Sequence, residues 1–258
     1  MTFENKQRVL PGTVALVGSG EYLPVMNEVD TYLLKTVREV QAAHVALLPT
    51  ASGKELMGPK SWNDLGLNHF KQLGVGDVRA TRIIDYKSAN DPAQVALLEG
   101  IDLFYFSGGD PQYTIETLRD TLAWQSIKDA YERGAVLAGC SAGAMMMGGY
   151  TVSIRQIMMG KNAKFAVALG IVPHLIVFPH FDRMAGFLTQ KLFQLLLRSV
   201  PSGQTVVGID EDTALVRVEL NVEGSGQDRW RVMGRQTVSV YGDDASKRVL
   251  KSGEAVLL

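Results

Sequence analysis

Ser141 stands in Gly139-Cys140-Ser141-Ala142-Gly143, a G-x-S-x-G arrangement. The run suits a nucleophile where a strand enters and a helix leaves. The sharp reversal then exposes the central side chain at the strand's carboxyl end, and the flanking glycines avoid clashes. The surroundings fit. Ala135–Gly139 (AVLAG) reads as a buried strand and AGAMMMGG after Ser141 as a helix, whose first N–H groups and dipole suit a developing oxyanion. The bland alternative is a tight structural turn with a small hydroxyl cap. Cys140 falls one place early, so its side chain is expected to point away from Ser141 and act as a small buried hydrophobe.

A hydroxyl needs a base. His180 follows the apolar strand His174–Phe178 and so falls at a carboxyl end, the edge where sites assemble in open parallel sheets. His174 and His44 open strands and belong to the opposite edge. His69 lies in a helical segment as a surface or packing residue. No Asp or Glu stands between Ser141 and His180. That excludes the Ser-acid-His order of α/β-hydrolases and puts any third, acidic member before Ser141 or after His180.

Ser107-Gly108-Gly109-Asp110 follows a third apolar strand, Ile101–Phe106. Paired glycines let backbone N–H groups approach a ligand, so Gly109 and Ala142 are the expected oxyanion-hole donors. Asp110-Pro111 is also good helix-capping chemistry. Gly18-Ser19-Gly20-Glu21 is not G-x-G-x-x-G, because Leu23 replaces the last glycine, so no dinucleotide loop is read there.

These loops need a scaffold. In the first two thirds, buried runs at Thr13–Gly18, His44–Pro49, Val78–Ile84, Ile101–Phe106 and Ala135–Gly139 alternate with helix-period segments at Val29–Ala43, Asn63–Leu73, Asp91–Leu98 and Thr121–Arg133. That is the pattern of a flavodoxin-like open parallel sheet with helices on both faces. The last third adds His174–Phe178, a long amphipathic helix over Asp182–Val200, and strands at Thr205–Ile209, Thr213–Leu220, Arg229–Met233 and Thr237–Tyr241. It reads as a β-rich C-terminal extension, more antiparallel than parallel, within one domain over residues 1–258.

Composition bounds the partners. Lys+Arg 26 against Asp+Glu 27 gives a net charge of -1, with no global pull toward nucleic acid or an anionic membrane. No apolar run is long enough to span a bilayer, and the start of the chain lacks a signal peptide's apolar core. One cysteine makes no internal disulfide and points to a reducing cytoplasm. Four histidines with one cysteine argue against a structural zinc site.

The joint pattern resembles the serine peptidases that include cyanophycinase and aspartyl dipeptidase (dipeptidase E). The matching segments are ALVGSGE (Ala15–Glu21), LLPTAS (Leu47–Ser52), FSGGD (Phe106–Asp110), AGCSAGAM (Ala138–Met145), LGIVPHLIVFPHFDR (Leu169–Arg183) and GIDEDTALV (Gly208–Val216). The resemblance implies a fold related to class I glutamine amidotransferases, nucleophile Ser141, base His180, an oxyanion hole near Gly109 and Ala142, and no metal or organic cofactor. It also suggests an acid either shortly after the nucleophile or in the GIDE segment. Gln156 occupies about the first place, as a neutral orienting alternative, so Glu211 is the candidate that orients His180, with Asp210 and Asp212 as further alternatives and Asp182 too near His180 in sequence. Cyanophycinase-like members carry an acid and an amide before the histidine and several arginines after it. Here Phe178-Pro179 precedes His180 and Arg183 alone follows closely. Arg155 and Arg183, with Asp110, are the expected substrate-binding residues, the two arginines for a carboxylate.

The leading expectation is a hydrolase of peptide or amino-acid-amide bonds, with a homodimer expected by analogy. The second is a catalytically inactive binding or sensor protein that kept the fold. A cysteine-dependent amidotransferase-like hydrolase would need Cys140 at the elbow, which the glycine spacing opposes. A hydroxyl-to-imidazole hydrogen bond with a carboxylate on the other ring nitrogen separates the first reading from the second.

Overall fold

The computed structural model describes residues 10–153, 164–184, 189–242 and 246–258. Five strands come first: β1 (Val14–Val17), β2 (His44–Leu48), β3 (Asp77–Ala80), β4 (Leu103–Phe106) and β5 (Val136–Cys140). A short ribbon follows, β6 (Tyr150–Val152) with β7 (Phe165–Val167), then β8 (Leu175–Phe178) and β9 (Thr205–Ile209). The C-terminal strands are β10 (Thr213–Glu219), β11 (Arg229–Gly234), β12 (Thr237–Tyr241), β13 (Lys247–Lys251) and β14 (Ala255–Leu257).

The main sheet runs β14-β11-β10-β1-β5-β4-β2-β3. The five early strands are mutually parallel, and beyond β1 each added strand is antiparallel to the one before it: β10 to β1, β11 to β10 and β14 to β11. A second sheet, β13-β12-β9-β8, is parallel only between β8 and β9. The β-rich tail therefore divides between two sheets, completing the first and forming most of the second.

Alternation along each strand places the core on both faces. Val45 and Leu47 of β2 join Val136, Ala138 and Cys140 of β5 under helices α1 (Asn27–Val37) and α2 (Gly58–Gln72), where Leu33, Leu34 and Phe70 are buried. Ala46, Leu48, Phe104, Phe106 and Leu137 face the other way. They meet Ile115 and Leu118 of α4 (Pro111–Leu118) and Trp124 and Ile127 of α5 (Leu122–Glu132), with α3 (Pro92–Ala96) alongside. Helix starts follow capping chemistry: Asp91 accepts from Ala93 N–H, Asp110 from Tyr113 N–H and Thr121 from Trp124 N–H. Among the described residues no helix is long and apolar enough to cross a membrane.

Two expectations need correction. The helix leaving the elbow, α6 (Ala142–Met145), has four residues. The chain turns at Gly148 and Gly149, where a Cβ on Gly149 would meet Pro173 O at 2.0 Å. A helix that short contributes little macrodipole, so any oxyanion site there depends on individual N–H groups. The segment Asp182–Val200 is also not one helix. Phe181–Met184 forms a turn of helix, and a separate helix, Gln190–Arg198, begins at Thr189, whose hydroxyl caps Leu192 N–H from an extended backbone.

The junction between β5 and α6 is close-packed. A Cβ on Gly139 would lie 2.3 Å from Gly143 O, and one on Gly143 2.4 Å from Phe106 O. Both neighbours are backbone and cannot rotate away. Gly143→Ala should therefore cost about 1–3 kcal/mol, the usual range for overpacking. A lowered urea midpoint at unchanged m-value would show it; an unaltered midpoint would mean that the junction has slack.

Candidate active site

Strand β5 ends in the sheet interior and delivers Ser141 at φ 51°, ψ -111°. A non-glycine residue there stores roughly 1–3 kcal/mol of strain, held by surrounding structure. The restraints are backbone bonds: Ser141 N–H donates to Val17 O at 2.9 Å, and Ser141 O accepts from Ala144 N–H at 3.1 Å and Met145 N–H at 3.0 Å. Met145, Met146 and Met147 are buried beneath the turn.

His180 arrives from the second sheet, two residues beyond β8. It too has a positive φ, 50°, and its N–H reaches Gly18 O at 3.3 Å. Because β8 and β9 are parallel, with Phe178 opposite Gly208, both release their chains on the same edge. Glu211 lies two residues past β9. Its Oε1 is 3.0 Å from His180 Nδ1, and His180 Nε2 is 3.0 Å from Ser141 Oγ. An ionised carboxylate only accepts, so the ring carries its proton on Nδ1 and turns the Nε2 lone pair to the hydroxyl.

Glu211 is itself fixed. Its N–H donates to Asp182 Oδ1 at 2.9 Å, and its Oε2 accepts from Arg183 Nε at 3.1 Å. The His180 contact, then Arg183, holds the Glu211 carboxyl below its usual range against the opposing effects of burial and Asp182. A depressed pKa means that this carboxylate adds stability above its unfolded-state pKa and loses it as pH falls through the folded value.

The other predicted residues fall out as follows. Asp210 binds Thr237 through its backbone N–H and hydroxyl, and Asp212 faces Arg235 at 3.9 Å, so neither approaches His180. Asp110 is exposed and caps α4 through Oδ1. Arg183 stands beside the site with its side chain 69% exposed. His44 pairs with Asp102 at the far edge. His69 is buried against Asp30 at 2.7 Å, and His174 lies just before β8, at the far edge. Arg155 and Gln156 lie outside the described residues. Among the described residues no group of three or more His, Cys, Asp or Glu side chains is arranged to hold a metal ion.

The loop after β4 passes close to Ser141: a Cβ on Gly108 would lie 3.4 Å from Ser141 Cβ. Among the described residues, no acceptor takes the N–H of Gly109 or of Ala142. Cys140 is fully buried and points away from Ser141, as expected, but it is not merely a hydrophobe. Its thiol donates to Glu21 Oε2 at 2.8 Å, and Glu21 Oε1 accepts from Gly108 N–H at 3.1 Å. From sequence, Glu21 has no assigned role and Asp182 is weighed only as a partner for His180, not as the acceptor of the Glu211 N–H. Glu21's position at the carboxyl end of β1 was the available signal.

Replacing Arg183 by Leu should raise the Glu211 pKa toward the ordinary carboxylate range, read by a carbon-13 NMR titration of the Glu211 carboxyl. The loss of stability on acidification should then begin at higher pH. An unmoved titration would show that Arg183 does not act on Glu211.

The family model described as "Peptidase family S51" matches residues 14–223. A cyanophycinase from Geminocystis herdmanii (strain PCC 6308) is 29% identical over 181 residues, 67% of this chain. The aligned part spans 62% of that relative's length. The crystal structure of a peptidase from an acI-B1 actinobacterium superposes with TM-score 0.81 at 31% identity, covering 98% of this chain and 99% of that one. A protein from Listeria monocytogenes EGD-e, assigned as a peptidase E, shares the fold, with TM-score 0.57 at 18% identity over 87% of this chain and 98% of its own.

Proposed function

The chain belongs to peptidase family S51, and from that premise we propose that it is a serine-type peptidase with Ser141 as nucleophile, His180 as general base and acid, and Glu211 as the group that orients His180. The observation that carries this reading is the continuous relay from Ser141 Oγ to His180 Nε2 and from His180 Nδ1 to Glu211 Oε1, each step 3.0 Å. That contact is the one that separates a hydrolase from a binding or sensor protein, and it favours the hydrolase.

In the reaction, His180 Nε2 takes the hydroxyl proton as Ser141 Oγ bonds to the substrate carbonyl carbon. The carbonyl electrons move onto oxygen, and the N–H groups of Gly109 and Ala142 receive that oxyanion. Glu211 stabilises the imidazolium by charge. The imidazolium then returns its proton to the leaving amine as the C–N bond breaks, leaving an acyl-enzyme. Water, deprotonated by His180, releases the acid and restores the hydroxyl.

The substrate class is peptide or, as the family resemblance implies, isopeptide. Arg183 uses Nε for Glu211 and keeps most of its side chain exposed, which suits a substrate carboxylate. The single-domain reading of residues 1–258 is supported by β1 and β14 sharing one sheet. The single, buried cysteine supports a reducing cytoplasm.

Hydrolysis of a dipeptide and short-peptide library that includes Asp-X and β-Asp-X members tests the reading. Ser141→Ala should lower kcat by about 10⁶-fold. Glu211→Gln should lower it by about 10⁴-fold, as loss of the acid does in a worked serine triad. Undiminished cleavage by folded Ser141→Ala would overturn the assignment. Because the His180 contact and Arg183 hold the Glu211 carboxyl below its usual range, the fall of kcat/KM on acidification should follow a single proton. A two-proton limb would place Glu211 in titration with the base.

A further inference from the structure

The reaction above uses no atom of Glu21, although this carboxyl group lies buried against the nucleophile's own strand. Both of its oxygens accept. Oε1 takes the Gly108 N–H at 3.1 Å and Oε2 the Cys140 thiol at 2.8 Å. One side chain thus ties the loop after β4 to the residue before Ser141. Burial, then the Glu21 charge, pushes the Cys140 thiol well above its ordinary range, which keeps it a protonated donor.

The tied loop borders the reacting atom. A Cβ on Gly108 would lie 3.0 Å from Glu21 Oε1 and 3.8 Å from Ser141 Oγ. The next residue is pinned from the other side, since Asp110 N–H donates to Ala51 O at 2.8 Å and a Cβ on Gly109 would meet Ala51 O at 2.3 Å. With the Gly108 N–H committed to Glu21, the Gly109 N–H is the loop donor left for a substrate oxygen.

We propose that Glu21 is a positioning residue for the peptidase reaction: by holding Gly108 and Cys140 together it sets the separation of the Gly109 and Ala142 N–H groups. This rests on the serine-peptidase reading above. Donors aimed in advance at the oxyanion act on kcat, because the charge they meet exists only in the transition state. A purely structural buried acid would move the melting temperature and leave the split between kcat and KM alone.

Two conservative variants separate the acceptor from the charge. Glu21→Asp keeps the charge but is one methylene too short to reach Gly108; Glu21→Gln keeps an acceptor at that distance and loses the charge. Glu21→Asp should lower kcat by about 10²-fold, the scale of losing one oxyanion donor, with KM within about twofold. Glu21→Gln should recover most of that loss. Hydrogen exchange at the Gly108 amide should quicken in Glu21→Asp and stay slow in wild type and Glu21→Gln. Wild-type kcat in Glu21→Asp, an effect confined to KM, or a Gln variant as impaired as the Asp variant would each overturn the proposal. So would a Gly108 amide that exchanges like an open loop in wild type, a result that needs no variant to fold. A wild type that cleaves no peptide would instead sink the underlying peptidase reading, while an active wild type with an equally active Asp variant sinks this proposal alone.

Discussion

One hydroxyl reaches one imidazole across 3.0 Å only because two non-glycine residues, Ser141 and His180, both hold positive φ. Each conformation costs on the order of 1–3 kcal/mol and relaxes unless its surroundings forbid it. At Ser141 the surroundings are backbone: Gly139 packed on Gly143, Gly143 packed on Phe106, and the serine N–H held by Val17. At His180 the restraint is the bond from its N–H to Gly18 O. Both restraints therefore end on the exit of β1. That exit is itself fixed, with Gly18 N–H on Thr213 O and Asp212 N–H on Ser19 O.

This explains why the C-terminal strands matter to the chemistry. Strand β10 lies beside β1 and brings the Glu211–Thr213 turn to the elbow's edge, while β8 and β9 deliver His180 and Glu211 side by side. Gly208 in β9 has no room for a side chain, because a Cβ there would lie 2.4 Å from the Phe181 ring. The short turn of helix after His180 is thereby seated against β9, and Asp182 and Arg183 are placed to grip Glu211 at its N–H and its Oε2.

Local patterns in the sequence carried much of this. The elbow needs its glycines next to its serine, so Ser141 is readable from five residues. His180 is readable from the apolar run that precedes it. Glu211 followed from the absence of any acid between Ser141 and His180, together with the family resemblance of GIDED. What stayed hidden depends on contacts distant in the chain. Glu21 meets partners 87 and 119 residues away, so its place just past β1 could set it near the site but could not name them. Strand β13 is charged and mostly exposed and β14 has three residues, so neither shows a clear alternation. The interruption at Thr189 is invisible to periodicity because the apolar spacing of the sequence continues past it; the extended, capping backbone of Thr189 ends the single-helix reading.

The most direct measurement is covalent labelling of the folded wild-type protein by a fluorophosphonate, with the adduct located by peptide mapping. A serine activated through His180 and Glu211 should carry the phosphonyl group on Ser141, and His180→Ala should abolish labelling while the protein stays folded. Failure of folded wild type to label, or an adduct on any residue other than Ser141, would contradict the account.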